Sequence, residues 1–430
     1  MTQLTSETCD EPSGRSEYWK VLWLACVGAF TAYFCMYAFR KPFTAAQFDG
    51  VQWCGLSVDL KSALLISQML GYLFSKLMGT YLCASIPENR RAVVLVGLIA
   101  VAECALLAFA VVPDDWKVVA IFINGLPLGM VWGIIVRYLE GRRCSEVLLA
   151  VLCCSYIVSS GIVKDVGIWW MTQGSISESW MPFVTGLTFL PFFLISIWML
   201  SRLPPPNEED RRHRSERVSM PRAEQLAFLK RFSAGLLPAL VFYLLLTAFR
   251  DYRDLFAPEI LESFGYADSP GLFTRIELPV SLVTTVALAS LMLVRDNRRA
   301  VLTVYFAMFL GACGIGLSTL LLAYGMIDGV TWMIFVGLGL YLAYVAFSTV
   351  LFDRFLAATR STGTSVFAIY FADTLGYAVS LVVLLSKDLL APQVSQMSFL
   401  VSSSVVVAVV GMGSIACSWW LVRKQFQANS

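Results

Sequence analysis

The chain has 430 residues, of which 58% are hydrophobic and 14% are charged, and its formal net charge is +2. Because a soluble domain carries roughly 25% charged residues, this chain cannot cover a water-exposed surface, and most of its surface must face lipid. The one histidine, His213, lies in a polar stretch, which argues against His-based metal sites and a Ser-His-Asp triad. The eleven cysteines are scattered, mostly through apolar runs, so we interpret them as buried apolar residues and not as a disulfide framework.

Twelve apolar segments determine the predicted fold, because a membrane-spanning helix needs about 20 mostly apolar residues. The sequence therefore predicts an all-α, polytopic membrane protein. The first 17 residues are polar and the first apolar run is long enough to span, so we expect no cleavable signal peptide. The predicted spans are residues 18–46, 58–84, 92–112, 117–139, 146–171, 180–202, 232–256, 271–294, 299–323, 328–353, 361–386 and 395–423.

The loops between these segments predict the orientation of the chain. Basic residues collect in alternate loops, including Arg90 and Arg91 after the second span and Arg298 and Arg299 after the eighth. By the positive-inside rule, the basic loops and both termini are predicted to be cytoplasmic. We therefore interpret these four arginines as candidates for cytoplasmic gating contacts.

The two halves of the chain share short sequences at a nearly constant offset. Ala-Phe-Arg occurs at 38–40 and again at 248–250, an offset of 210, and Asn-Arg-Arg-Ala-Val occurs at 89–93 and at 297–301, an offset of 208. Parallel repeats of six spans are the construction of the two major facilitator halves, so two pseudo-symmetric six-helix bundles are expected. The predicted divisions are an N-terminal tail at 1–17, bundles at 18–202 and 232–423, a cytoplasmic linker at 203–231 and a C-terminal tail at 424–430.

Two arginines occupy equivalent places near the ends of the first and seventh spans. Lys20 and Arg40 are 20 residues apart, and Arg231 and Arg250 are 19 apart, so both Arg40 and Arg250 lie roughly 30 Å along their helices. That distance permits snorkelling to the outer headgroups, and it also permits helices that continue past the arginines beside a shared cavity. Arginine at an outer end runs against the positive-inside rule, and shared binding of an anion explains why both copies keep it.

Further ionisable residues lie deep inside predicted spans. Lys76 lies near mid-membrane, where a basic side chain costs about 2.5–3.5 kcal/mol, and Asp373 lies well inside the eleventh span. The two are candidates for an ion pair, and Asp373 is also a candidate proton site. Lys164 and Asp165 are adjacent in the fifth span and cannot face each other, so each needs another partner, and Asp165 is a second candidate proton site. Structural ion pairs are expected for Glu103, Arg275 and Glu277.

We expect the basic side chains to converge on a central cavity with net positive charge. The set comprises Arg40, Lys41, Lys76, Lys164 and Arg250. Facing arginines can bind phosphate bidentately, lysine adds a point charge, and a carboxylate fits the same groups. No metal motif, nucleophile triad or Walker loop occurs in the sequence, so we expect no enzyme, no cofactor and no metal site. The expected partners are a small anionic solute and the lipid bilayer, without nucleic acid, and the expected form is a monomer.

Several motifs resemble those of the bacterial organophosphate:phosphate antiporters, the glycerol-3-phosphate and hexose-phosphate transporters of the major facilitator superfamily. Residues 37–43, Tyr-Ala-Phe-Arg-Lys-Pro-Phe, are similar to that family's first-helix Tyr-x-x-Arg-Lys-x-Phe, and residues 71–79 are similar to its second-helix motif around Ser-Lys. Arg250 and Pro258 keep the spacing of its seventh helix. The chain resembles more closely a set of bacterial major-facilitator-like proteins with the same Arg-Lys-Pro-Phe and Ser-Lys motifs, which imply no substrate.

The resemblance implies a twelve-helix transporter of the bacterial inner membrane in which Arg40 and Arg250 are the paired phosphate-binding arginines. It also implies that the first and seventh helices run past these arginines. The histidine of the family's fifth helix has no counterpart here, and Tyr156 lies nearest to its place. The substrate-binding candidates, from charge and resemblance together, are Arg40, Arg250, Lys76, Lys41, Tyr37, Tyr156 and Lys164.

We therefore predict a secondary transporter that moves a small organic anion by rocking its two halves around a central site, with anion exchange as one mode. The alternative within transport is proton-coupled symport through Asp373 or Asp165. The alternative of another class is a membrane anion sensor, although the linker is too short to hold a signalling domain.

Overall fold

The computed structural model is a bundle of α-helices. Among the described residues, the only β contribution is an isolated bridge between Gln52 and Asp59. Residues 206–221 of the predicted linker lie outside the described part of the chain. The described residues are 12–48, 50–55, 58–139, 145–205, 222–266, 269, 271–294, 296–359 and 365–428.

Six long helices form the first half of the chain. They are α1 (Pro12–Ala38), α2 (Leu60–Ser85), α3 (Arg91–Val111), α4 (Asp114–Leu139), α5 (Ser145–Thr172) and α6 (Met181–Ser201). Two short 3-10 turns, Pro42–Ala45 and Trp53–Gly55, lie between α1 and α2.

The second half repeats this order with two additional short helices. Its helices are α7 (Arg222–Leu255), α8 (Ala257–Glu262), α9 (Leu272–Met292), α10 (Asn297–Ala323), α11 (Gly329–Ala346), α12 (Phe352–Thr359), α13 (Ser365–Leu390) and α14 (Gln396–Ala428). A π-helical segment, Phe347–Leu351, joins α11 to α12. Because α7 begins at Arg222, residues 222–231 of the predicted linker are helical.

Ten of these helices are long and apolar enough to cross a membrane, and they correspond to ten of the twelve predicted spans. The other two predicted spans correspond to α2 and α13, which have 26 residues each. These two helices contain ionisable residues, including Lys76 and Asp373, and they pack against each other between the two halves. The prediction of an all-α polytopic membrane protein is therefore confirmed.

Two pairs of long helices make the largest contacts between the two halves. Within the first half α1 packs on α5 and α6 and α4 packs on α2 and α3, and within the second half α7 packs on α13 and α14 and α10 packs on α11 and α14. Across the halves, α5 packs on α9 and α2 packs on α13. We call the end that carries the α1–α2 connection the distal end and the end that carries the chain termini the terminal end.

Glycines allow α2 and α4 to approach backbone to backbone. A Cβ atom at Gly125 would lie 2.6 Å from the carbonyl oxygen of Gln68, and one at Gly71 would collide with the carbonyl oxygen of Phe122. This close approach determines which polar side chains of α2 can reach α4 and the neighbouring end of α1.

The expectation that both arginine-bearing helices run past their arginines is correct for α7 and wrong for α1. Helix α7 continues for five residues beyond Arg250, whereas α1 ends at Ala38, before Arg40. The physical reason is Pro42, which has no N–H to donate to the carbonyl of Ala38 and whose ring clashes with that carbonyl in a continuous α-helix. The predicted first span of 18–46 therefore divides into a helix, a break and a 3-10 turn.

Candidate functional site

A small polar cavity lies between the two halves, beside the break in α1. It measures about 20 Å³, which is room for roughly one water molecule. Both predicted arginines line it, so the structure brings together Arg40 of the first half and Arg250 of the second. The lining residues are Tyr37, Arg40, Lys41, Tyr156, Ser160, Arg250, Asp251, Asp254 and Tyr341.

Arg40 is buried, with 5% of its surface exposed, and its guanidinium is held by aromatic faces. Its Cζ lies 3.8 Å from the ring centroid of Tyr72 and 5.9 Å from that of Tyr37. Within the part of the chain that the structure describes, its Nε has no hydrogen-bond partner. A buried cation with an unsatisfied donor is costly, so this guanidinium is suited to receive an anion.

Arg250 faces the same cavity but already has a carboxylate partner. Its Nη2 and Nε lie 2.7 Å and 3.1 Å from Oδ1 of the adjacent Asp251. Its Cζ lies 4.5 Å from the ring centroid of Tyr344 and 5.6 Å from that of Tyr377. The ring of Tyr377 packs against Tyr72, the residue that stacks on Arg40, at a centroid distance of 5.0 Å. A tyrosine pair therefore connects the two arginines.

Asp254 joins the two halves at the distal side of the cavity. Lys41 Nζ lies 2.5 Å from its Oδ2, and Lys164 Nζ lies 2.7 Å from its Oδ1. Ser160 donates a hydrogen bond of 2.5 Å to the same Oδ1, and Lys164 also donates to the backbone carbonyl of Asp254. The partner that the sequence required for Lys164 is thus a carboxylate of α7.

Lys76 and Asp373 form an ion pair between α2 and α13, on the terminal side of the two arginines. Lys76 Nζ lies 3.2 Å from Asp373 Oδ2 and 5.2 Å from the ring centroid of Trp132. Tyr243 donates a hydrogen bond of 2.5 Å to Asp373 Oδ1, and Tyr344 donates one of 3.4 Å. Since Tyr344 also stacks on Arg250 and precedes the π-helical segment, it contacts both the arginine site and this ion pair.

Asp165 does not face the cavity cations. Its carboxylate accepts hydrogen bonds from the backbone N–H groups of Thr274 (2.7 Å) and Phe273 (3.3 Å) and from the Thr274 hydroxyl (2.5 Å). A carboxylate of the first half therefore caps the N-terminus of α9 in the second half, where the helix dipole favours negative charge.

Of the remaining intramembrane acids, one forms the structural ion pair that the sequence predicted and one does not. Glu277 forms the expected ion pair, with Arg253 at 2.8 Å. Both carboxylate oxygens of Glu103 lack a hydrogen-bond partner among the described residues, so the expected ion pair of Glu103 is wrong. Glu103 lies instead against Gly186 of α6, where a Cβ atom would collide with it.

Sequence reasoning missed two cavity carboxylates, Asp251 and Asp254. Both follow the second Ala-Phe-Arg within four residues, and their i+1 and i+4 spacing from Arg250 was the available signal. The five predicted cations of the site face three carboxylates, Asp251, Asp254 and Asp373, which leaves a formal net charge of +2. The site is positive, as expected, but its charge is more nearly balanced than the sequence suggested.

The distal end is closed by polar contacts between the halves. Lys61 forms an ion pair with Glu259, and Gln47 Nε2 donates a hydrogen bond of 3.0 Å to Glu262. The backbone N–H of Gln47 also donates to Glu178 at 3.2 Å. Gln47, Glu178 and Glu262 line part of a second cavity of about 410 Å³, whose other lining residues come mainly from α5, α8 and α9.

The four arginines predicted for gating contacts lie at the terminal end. Arg91 donates to the backbone carbonyl of Arg137 at 3.0 Å, and Arg298 lies 5.7 Å from the ring centroid of Phe426. The backbone N–H of Arg299 donates to Asp296, which caps α10, and Arg90 is exposed. The gating role of these residues stays a prediction.

Comparison with known proteins supports the fold and gives no substrate. The model of DUF5690, a family of unknown function, matches residues 42–425. No curated protein matches the sequence. Among solved structures, the crystal structure of a D-xylose-proton symporter is similar, with a TM-score of 0.60 and 13% sequence identity, over 94% of this chain and 97% of that chain. At this identity the likeness establishes the major facilitator fold alone.

Proposed function

The chain belongs to the DUF5690 family and has the fold of a major facilitator transporter, and from this premise we propose that it is a secondary transporter of a small organic anion. The anion is a phosphate ester, phosphate or a carboxylate, and it binds between Arg40 and Arg250. The observation that carries the proposal is that one arginine from each half lines the same buried cavity. Because the two arginines belong to different halves, an anion that contacts both would draw the halves together.

The electrostatics of the cavity support an anionic substrate and disfavour a cationic one. The net charge of the site is +2, and the Arg40 guanidinium is stacked on Tyr72 without a carboxylate partner among the described residues. Planar guanidinium groups match phosphate and carboxylate oxygens with two parallel hydrogen bonds, whereas lysines add charge without fixed geometry. Three lysines already form ion pairs with carboxylates and would adjust the electrostatic potential around the anion, namely Lys41, Lys76 and Lys164.

The contacts around the cavity support alternating access. On the distal side the halves are joined by the Lys61–Glu259 pair and by the contacts of Asp254 with Lys41 and Lys164. On the terminal side they are joined by the Lys76–Asp373 pair. A cavity of about 20 Å³ between them cannot hold a phosphate ester, so one set of contacts must break to admit it. When the two bundles rock against each other, the distal contacts and the terminal contacts break alternately.

Counterflow in proteoliposomes tests the proposal. Vesicles containing the purified protein are loaded with inorganic phosphate, glycerol 3-phosphate or acetate, and uptake of the same labelled anion is measured. We expect accumulation with at least one of these anions and its loss in Arg40→Ala. Arg202→Ala is the matched control, because Arg202 is an exposed arginine at the end of α6, away from the cavity.

A correctly inserted Arg40→Ala protein that transports at the wild-type rate would contradict the proposal. So would counterflow of neutral sugars alone, since the structural neighbour is named as a sugar-proton symporter and shares the fold.

Proton-coupled symport is the second candidate, favoured by the carboxylates at the site. Asp373 accepts hydrogen bonds from two tyrosines beside Arg250, and Asp251 Oδ2 has no partner among the described residues. Uptake driven by an inward proton gradient alone, and abolished in Asp373→Asn, would favour symport. Counterflow that is unaffected by Asp373→Asn and by the gradient would favour exchange.

A further inference from the structure

The break in α1 leaves backbone carbonyls that the helix itself cannot satisfy. In a continuous helix the carbonyls of Phe39 and Arg40 would accept from the N–H groups four residues later. Here the chain enters a 3-10 turn at Pro42, and the N–H of Thr44 donates instead to the carbonyl of Lys41 at 3.0 Å. The backbone carbonyls of Phe39 and Arg40 must therefore find donors elsewhere, since a buried carbonyl without a donor costs about 1–3 kcal/mol.

Two buried amide side chains supply these donors. Asn124 Nδ2 donates to the carbonyl of Phe39 at 2.9 Å, and Gln68 Nε2 donates to the carbonyl of Arg40 at 2.9 Å. Asn124 is completely buried on α4, and Gln68 is 3% exposed on α2. The two helices hold these side chains in place through the backbone contact at Gly125.

The two amides are also bonded to each other, and every N–H of both groups is used. Gln68 Nε2 donates its second hydrogen to Asn124 Oδ1 at 3.0 Å, and Asn124 Nδ2 donates its second hydrogen to the carbonyl of Ala102 at 3.0 Å. Because three backbone carbonyls face these amides, only this orientation places a hydrogen toward each of them. These groups thus have one hydrogen-bonding arrangement. We call them together the amide knot, which comprises Gln68, Asn124 and the backbone carbonyls of Phe39, Arg40 and Ala102.

We propose that Gln68 and Asn124 are positioning residues for the anion site, which fix the unwound segment at 39–41 and so direct the Arg40 guanidinium and the Lys41 ammonium into the cavity. This inference rests on the proposed anion-binding role of Arg40. Without the knot, the two carbonyls would seek other donors, the segment would sample several conformations, and the arginine would lose its fixed direction. Neither amide lines the cavity, so their effect passes through the backbone of residues 39 and 40.

The first test needs no ligand. Hydrogen–deuterium exchange of residues 39–44 is measured on the purified full-length protein for wild type, Asn124→Ala, Gln68→Ala and Asn124→Asp. We expect faster exchange in all three variants, including the aspartate, which keeps the shape of the side chain but has no hydrogen to donate. Ser67→Ala is the matched control, because buried Ser67 also donates a hydrogen bond from α2 to α4, but to the carbonyl of Val118 at 2.6 Å and not to a carbonyl of residues 39–41.

The second test separates positioning from general stability. Binding of inorganic phosphate is measured by calorimetry for Asn124→Ala in the wild-type and Arg40→Lys backgrounds. We expect about a tenfold loss of affinity in the wild-type background, the equivalent of one well-formed hydrogen bond, and less than a twofold loss once Arg40 is replaced. If Asn124→Ala does not fold, the same measurement is made on Gln68→Ala, which removes the hydrogen bond to the backbone carbonyl of Arg40.

The outcomes distinguish the two proposals. Exchange at 39–44 that matches Ser67→Ala, or an equal loss of phosphate affinity in both backgrounds, overturns the positioning role. A wild-type protein that binds no phosphate, phosphate ester or carboxylate overturns the anion proposal, and the exchange comparison still decides whether the amides fix the segment.

Discussion

The two halves of the molecule carry the same Ala-Phe-Arg tripeptide, but the backbone conformation and the charged partners of its arginine differ between them. In the first half the helix ends before Arg40, which stacks on Tyr72 and has no carboxylate partner among the described residues. In the second half α7 continues past Arg250, and the next residue, Asp251, binds its guanidinium at 2.7 Å. The two halves therefore share the arginine and differ in the charge and in the backbone conformation around it.

The supporting residues also differ between the halves. The repeat offset of 208 to 210 places Gln68 opposite residues 276–278 and Asn124 opposite 332–334. At those places Glu277 and the carbonyl of Met333 bind one side chain, that of Arg253, at 2.8 Å and 2.9 Å. A broken helix needs neutral donors for its free carbonyls, whereas a continuous helix has none to satisfy and can instead be anchored by an ion pair. The first half is thus built to present an uncompensated cation, and the second half a balanced one.

The largest expected effect comes from breaking the anchor of the second half. Glu277→Ala leaves the Arg253 guanidinium buried without its carboxylate, which costs about 3–5 kcal/mol, whereas Gln68→Ala leaves the neutral carbonyl of Arg40 without its donor, which costs about 1–3 kcal/mol. Thermal unfolding of the purified protein in detergent measures both, with exposed Glu88→Ala as the control. Equal destabilisation by Glu277→Ala and Gln68→Ala would remove the distinction between the two anchors.

The next effect concerns the arginines themselves. We expect Arg40→Ala to weaken inorganic phosphate binding about 100-fold and Arg250→Ala about 10-fold, because Asp251 already neutralises much of the charge of Arg250. Titration calorimetry on both variants measures the difference. Equal losses would mean that the two arginines share the anion symmetrically and that the Arg250–Asp251 contact opens on binding.

A third change makes the first half resemble the second. Pro42→Ala restores a backbone N–H and removes the ring clash, so α1 can continue through Arg40 as α7 continues through Arg250. We expect slower hydrogen exchange at residues 39–44 and a loss of phosphate affinity of about tenfold, as the arginine turns with the helix. Pro87→Ala, in an exposed turn, is the control. Unchanged exchange would show that the amides alone, and not the proline, keep the segment unwound.

The smallest expected effect is a gain. Asp251→Asn removes the carboxylate that occupies Arg250 while keeping the size of the side chain, so phosphate affinity should rise about threefold to tenfold. The same calorimetry measures it, with Asp115→Asn in the first turn of α4, away from the cavity, as the control. A fall in affinity would indicate that Asp251 orients Arg250 toward the anion and does not compete with it.

Much of the fold followed from sequence alone, because lipid imposes simple rules on it. The length of the apolar segments and their alternation with basic loops predict twelve spans, and the shared offsets predict the repeat. Lys76 and Asp373 could be proposed as partners because ions deep in a membrane need one. The sequence analysis did not predict the break in α1, although Pro42 lies there, because membrane helices often continue through a proline. Helix α4, for example, continues through Pro127.

What the sequence determined by itself is the class of the molecule, namely a duplicated membrane bundle with a paired arginine at equivalent places. Tertiary structure decided which carboxylates meet which cations: Asp254 joins Lys41 to Lys164, and Glu277 takes Arg253 and not Arg275. It also decided that Gln68 and Asn124 meet at the end of α1. The burial of a segment in the membrane depends on its own apolar residues and can be predicted along the chain. Which side chains pair depends on the approach of helices far apart in sequence, here of α2 and α4 through Gly71 and Gly125.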